Sequence, residues 1–160
     1  MVDGYDGFED WYRAEWGRLV AALAVVDGDM EAARDSAGEA FARALADWPR
    51  LACTDNRTGW LFRVGLNVQR RRLRRAAVER RLLSLAPRRV VPASIPEPAV
   101  ELRGAVEALP RRQRMAVVLT YFADLPQDEV AAAMGIRRGT VASTLSDARS
   151  SLAITLKEVI

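Results

Sequence analysis

Four prolines in twelve residues (Pro87, Pro92, Pro96 and Pro98) interrupt a chain whose apolar residues otherwise recur mostly at helical spacing. Proline lacks the amide a helix needs, and its ring clashes with the preceding turn, so no helix crosses this stretch. Proline at that density favours extended chain instead. Strand signals are scarce and alanine, a strong helix former, is abundant. The sequence therefore predicts an all-α fold of two small helical domains, residues 1–85 and 99–160, joined by an extended Pro-rich linker over 86–98.

Within the first domain a helix is expected from about Phe8 to Val26, with Trp11, Trp16, Leu19, Leu23 and Val26 offering apolar contacts. Asp27-Gly28-Asp29 reads as a turn. A second helix, about Met30 to Trp48, sets Ala33, Ala37, Phe41 and Leu45 at strict i+4 spacing. Pro49 to Thr58 reads as a loop, and a third helix follows to about Leu85. The second domain should hold helices near 99–108, 111–122, 127–134 and 138–156. No internal repeat is evident.

Composition then removes whole classes of function. Histidine is absent and Cys53 is the single cysteine, so imidazole ligands, Ser-His or Cys-His nucleophile pairs, cysteine metal clusters and intrachain disulfides are excluded. No GxxxxGK[ST] or GxGxxG stretch occurs. Carboxylate or lysine catalysis stays open in principle, but no site for it is marked, and neither an enzyme nor a cofactor is expected. No stretch approaches the roughly 20 uncharged apolar residues of a membrane span. The acidic N-terminus differs from a secretory signal. The expected location is cytoplasmic, without membrane insertion.

The formal net charge of +3 hides a strong asymmetry. Residues 1–56 carry twelve acids against five arginines, a balance of −7, while residues 57–89 carry eleven arginines and only Glu79, a balance of +10. Residues 90–160 hold eight of each sign. Positive charge so concentrated suits a polyanion, because each neutralised phosphate releases counterions. A solvated arginine-rich helix is the plainer alternative.

Residues 127–152 have the grammar of a helix-turn-helix. Pro126 can open a short helix, Val130 and Met134 share a face, Gly135 can break the helix, and Ile136 can plug the corner. Val141, Leu145, Ala148 and Leu152 then repeat at i, i+4, i+7 and i+11 as one buried stripe. The expected exposed face carries Gly139, Thr140, Ser143, Thr144 and Asp147, with Arg137 and Arg138 at its entry. Such hydroxyls and amides suit phosphate and base-edge contacts, although a helical hairpin without DNA would share the pattern.

The third helix has two faces. Leu61, Val64 and Val68 form an apolar strip bordered by Trp60. Arg63, Asn67, Arg70 and Arg74 fall within about 60° of one another on a different face. A row of arginines with one amide can track a phosphate backbone. Trp60 could stack on an unpaired base or belong to the core, and Arg63 could instead pair with the acidic first half. On the second helix Asp35 and Glu39 lie one turn apart beside Arg34 and Arg43, a strip that could dock a protein or simply keep the helix soluble.

With these pieces placed, the sequence resembles an extracytoplasmic-function sigma factor of the sigma-70 family along nearly its whole length. Leu109-Pro-Arg-Arg-Gln-Arg-Met-Ala-Val-Val-Leu119, Tyr121-Phe-Ala-Asp-Leu125, Glu129-Val-Ala and Gly139-Thr-Val-Ala-Ser143 are similar to sigma region four. Asp35-Ser-Ala-Gly-Glu-Ala-Phe41 and Thr58-Gly-Trp-Leu-Phe-Arg-Val-Gly-Leu-Asn67 look like region two. The resemblance implies a promoter-recognition subunit of RNA polymerase that directs transcription initiation, with core polymerase and promoter DNA as partners. It also implies an anti-sigma partner by family habit.

By the same resemblance Asp35, Glu39 and Arg43 would face the clamp of the largest polymerase subunit. Asn56 and Arg57 would hold an extruded base of the −10 element, with Trp60, Arg63, Asn67, Arg70, Arg71 and Arg74 along the DNA. Region four would sit on the flap and read the −35 element through Arg137, Arg138, Thr140, Ser143, Thr144 and Arg149. Three departures stand out: Gly38 replaces the usual glutamine, basic residues are missing at Ala142 and Thr144, and Asp147 stands where a basic residue is common. Fewer phosphate contacts imply weaker, less salt-dependent DNA binding. Two rival readings remain open: a sigma-like regulator that binds polymerase or another factor without reading promoters, and a free-standing duplex-binding repressor.

Overall fold

A computed structural model describes residues 5–83 and 97–159. The first half contains α1 (Phe8–Asp27), α2 (Met30–Ala46), the single turn α3 (Trp48–Leu51) and the long α4 (Arg57–Leu83). The second contains α5 (Glu97–Ala108), α6 (Arg111–Val117), which runs on as a wider π turn over Val118–Phe122, α7 (Gln127–Met134) and α8 (Arg138–Val159). No strand occurs among the described residues. Most of the expected linker lies outside the described residues. At its far end Pro98 falls in the first turn of α5, where a missing amide costs nothing.

The helix ends follow local chemistry. Gly28 closes α1 at φ 73°, a left-handed conformation that glycine adopts without steric cost, and its amide bonds the Ala24 carbonyl at 2.7 Å. Asp29 then caps α2 by accepting from the Ala32 amide at 2.9 Å. The expected loop after Trp48 begins instead with α3, because Pro49 fits a first turn and Leu51 has a buried seat. Arg50 donates to Asp47 there, holding the Asp47 carboxyl below the usual carboxylate range and raising its own pKa.

An aromatic cluster fastens α1 to α2 and α3. Phe41 sits 5.3 Å from Trp11 and 4.8 Å from Tyr12 between ring centroids, while Trp48 donates its indole N–H to the Asp6 carbonyl. These distances give edge-on contacts that strengthen simple burial. α4 packs against α1 closely at Gly65, where an added methyl would come within 3.0 Å of Leu19 Cδ1.

The two halves meet at the C-terminal end of α1 and share one continuous apolar core. Gln69 of α4, fully buried, donates to the Leu23 carbonyl at 2.9 Å and to Asp27 Oδ2 at 2.6 Å. From α6, Arg111 donates to Asp27 Oδ1 at 2.7 Å, and Arg114 donates to the Val26 and Val25 carbonyls at 2.9 and 3.3 Å. A helix end leaves its last carbonyls without partners, and cations are favoured there, so Arg111 and Arg114 satisfy both demands. Farther along α1, Arg18 donates to the Phe122 carbonyl at 2.8 Å and pairs with the buried Glu15.

Phe41 is only 3% exposed and touches four other aromatic rings. Phe41→Ala should therefore cost about 3–5 kcal/mol. Urea unfolding followed by circular dichroism would show it as a lower midpoint.

Candidate nucleic-acid interface

The face of α4 begins with its cap. Asn56 Oδ1 accepts the Gly59 amide at 2.8 Å, so the residue expected to hold a base also starts the helix. Asparagine three residues before a helical amide is a legible capping signal, and the sequence reading passed over it. Arg57 lies 5.8 Å over the Trp48 ring, a cation–π contact, and is half-buried. Trp60 is half-buried against the core, which leaves part of its ring at the surface.

Farther along, Arg63 is exposed, Asn67 and Arg70 are half-buried, and Arg71 and Arg74 are exposed. Arg63 forms no ion pair with the acidic first half among the described residues. Asn56, Gly59, Trp60 and Arg63 line a cavity of about 260 Å³ whose opposite wall is Glu129 and Ala132 of α7. Arg70 and Arg74 line a neighbouring groove of about 660 Å³, floored by Leu73, Met115, Met134 and Ile136 and rimmed on its far side by Arg111 and Arg112. The basic face of α4 thus looks toward α6 and α7.

The other side of α4 carries opposite chemistry. Arg72 bonds Asp35 at 3.1 Å and lies 3.7 Å from Glu39, which also pairs with Arg43. Arg71 and Arg72 form the α4 wall of an open groove of about 640 Å³ whose α2 wall holds Asp35, Glu39 and Arg43. Arg72 was not among the expected site residues, and a pairing between helices leaves no local spacing signal.

In the second half, Gly135 closes α7 at φ 66°, and the Ile136 amide reaches back to the Ala131 carbonyl at 3.0 Å. This is the wrapped helix end that turns the chain into α8. Val141, Leu145 and Ala148 are buried as expected, and Leu152 is half-buried. Arg137, Arg138, Ser143, Asp147 and Arg149 are exposed, and Thr140 is half-buried. Arg138 lies 3.5 Å from Asp128.

Thr144 corrects the expected exposed face. It is 8% exposed, and its hydroxyl donates to the Thr140 carbonyl at 2.6 Å. Three residues after Val141 and four before Ala148, it belongs to the inner stripe by helical geometry. Ser146 and Ser150 take the outer positions instead.

Chemically the two surfaces can hold anions and hydrogen-bond acceptors. Among the described residues no cluster of His, Cys, Asp and Glu could hold a metal ion, and no helix is long and apolar enough to cross a membrane.

Residues 99–152 match the family model for sigma-70, region 4. The chain is 28% identical over 152 residues to the RNA polymerase sigma-E factor of Streptomyces coelicolor, covering 91% of this chain and 83% of that protein. Its fold superimposes on the sigma factor RpoE, solved in complex with the anti-sigma factor NepR from Bartonella quintana, with a TM-score of 0.82. That match covers 94% of this chain and 96% of the other at 21% identity. A second match, CnrH in complex with the cytosolic domain of CnrY, has a TM-score of 0.63, 24% identity and coverage of 94% and 88%.

Asp35 is exposed and Glu39 half-buried at the surface, and ion pairs so placed contribute little to stability. Asp35→Ala with Glu39→Ala should lower unfolding free energy by less than about 1 kcal/mol. Denaturant titration checks this, and a larger loss would make the strip structural.

Proposed function

We propose that this chain, whose residues 99–152 match sigma-70 region 4 and whose fold is that of a sigma factor, is an RNA polymerase sigma factor of the extracytoplasmic-function type. It binds core polymerase and directs promoter recognition and transcription initiation. The reading is carried by one pairing: a helix-turn-helix at residues 127–159 and, in the same chain, an arginine-lined helix face with a tryptophan and a capped loop at its start.

In this assignment Asn56, Arg57, Trp60, Arg63, Asn67, Arg70 and Arg74 meet the −10 element, while Arg71, expected with them, turns to the groove beside α2. Phosphates lie along the arginines, and an unpaired base meets the loop and the tryptophan edge. Asp35, Glu39 and Arg43, with Arg72 beside them, present a polar strip to the clamp of the largest polymerase subunit. Arg137, Arg138, Thr140, Ser143 and Arg149 supply the −35 contacts, and Thr144, expected with them, is turned into the core with its hydroxyl on the Thr140 carbonyl. The protein works in the cytoplasm with polymerase, carries no catalytic chemistry of its own and requires no cofactor. An anti-sigma factor is a further partner, as NepR is of the structurally similar RpoE.

One observation favours a second reading, a sigma-like regulator that binds polymerase without reading promoters. The outer face of α8 offers Ala142, Ser143, Ser146 and Asp147 where more positive charge would strengthen phosphate contacts.

Run-off transcription with purified core polymerase, with and without the chain, on its own upstream region tests the assignment. Discrete transcripts that depend on the chain are expected; stable core binding without any transcript across a genomic template pool would favour the regulator.

Within that assay Arg70→Ala with Arg74→Ala should reduce open-complex formation about a hundredfold, since charge-assisted contacts contribute about 1.5 kcal/mol or more each. Core affinity should hold, and its loss would assign these arginines to protein contacts. Asp35→Ala with Glu39→Ala should do the reverse, lowering core affinity in a pull-down titration.

A further inference from the structure

We infer that Trp48, buried beneath the loop before α4, is a positioning residue for promoter DNA. Its ring holds the Arg57 guanidinium in place and leaves the N–H donors open to the unpaired −10 strand. The inference rests on the assignment of Asn56 and Arg57 to that element. Arg57 Cζ lies 5.8 Å from the centroid of the Trp48 ring, and the residue is half-buried. Among the described residues no carboxylate or carbonyl accepts a hydrogen bond from this guanidinium. An ion pair would occupy the donors of a half-buried arginine, whereas a ring attracts the cation through its face and occupies none of them.

The platform under Arg57 is rigid. Trp48 is 1% exposed, and its indole N–H donates to the Asp6 carbonyl at 3.0 Å. Its ring centroid lies 5.1 Å from that of Phe8 and 5.2 Å from that of Trp11. Asp47, the acid beside it in sequence, is engaged by Arg50 at 2.8 Å. One residue before Arg57, Asn56 Oδ1 accepts the Gly59 amide and fixes the start of α4. Asn56 lines the cavity shared with Trp60 and Arg63, while Arg57 stands outside that cavity, over α3. A strand laid across the loop therefore meets polar groups on both sides of the helix start. A long side chain normally loses rotamer freedom when it binds, and one already held by a ring loses less. Its charge-assisted hydrogen bond then forms at full strength.

The test is open-complex formation by polymerase carrying this chain on its own promoter, in a double-mutant cycle of Arg57→Ala and Trp48→Leu. Arg57→Ala should lower open complexes about tenfold, the effect of one charge-assisted contact. Trp48→Leu keeps an apolar side chain and removes the ring face, and should lower them about three- to fivefold. In the Arg57→Ala background the same change should add less than about 1.5-fold. Trp48→Phe restores a ring face and should stay within about twofold of the unaltered chain. Circular dichroism checks that each variant keeps its helices. Because Trp48 belongs to the core, NMR of the unaltered chain supplies a measurement that needs no variant. The ring current of Trp48 should displace the Arg57 δ-methylene protons upfield of those of exposed arginines.

An equal loss from Trp48→Leu with and without Arg57, or undisplaced Arg57 protons, would overturn the inference. Open complexes formed by the unaltered chain, alongside that result, would leave the sigma assignment standing. Failure of the assignment shows separately, as no open complexes with the unaltered chain, and the inference falls with it.

Discussion

The C-terminal end of α1 is the point on which the structure depends. Asp27, whose side chain is 7% exposed, receives Gln69 from α4 and Arg111 from α6, while Arg114 takes the last free carbonyls of the helix. A carboxylate buried to that degree is tolerated only while its partners are present. Because Arg111 is itself half exposed, loss of one partner should cost about 1–3 kcal/mol, the penalty of a desolvated group left short of a hydrogen bond. One short stretch of chain thus fixes both the α1–α4 packing and the seat of the second half.

Consequences follow for α4, which must serve three surroundings at once. Its inner stripe of Leu61, Phe62, Leu66 and Val68 is buried against α1 and α2. A second side pairs Arg72 with the acids of α2, and a third turns Asn56, Trp60, Arg63, Arg70 and Arg74 toward α6 and α7. A helix offers a new direction every 100°, so one sequence can carry an apolar, a mixed-charge and a basic face without interference.

The helices were legible because their signals are local. The apolar spacing, the glycines at 28 and 135 and the prolines at 49, 98 and 126 place them to within a few residues. Spacing alone marks Val141, Leu145 and Ala148 as the buried stripe of α8, whereas Thr144, polar by type, is buried by its position between them. Asn56 was read as a loop contact, although its spacing to Gly59 also encodes a cap. Other features had no local signature. The reach of Arg72 to Asp35, the grip of Arg111 and Arg114 on α1 and the approach of Glu129 to Gly59 join residues 37 to 89 positions apart or bring together distant backbones. A proline-rich linker says that two halves can be separate; it does not say whether their surfaces fit.

The most direct test of this account is the distance between the two halves, measured in the free chain and in its complex with core polymerase. Cys53 is the single cysteine and is exposed in the loop before α4, and Ser150→Cys adds a second exposed label on α8. Pulsed electron–electron double resonance should give one narrow distance in the free protein and a longer one in the complex. A broad distribution in the free protein would contradict the docking at the end of α1, and the same distance in both states would contradict its opening on polymerase.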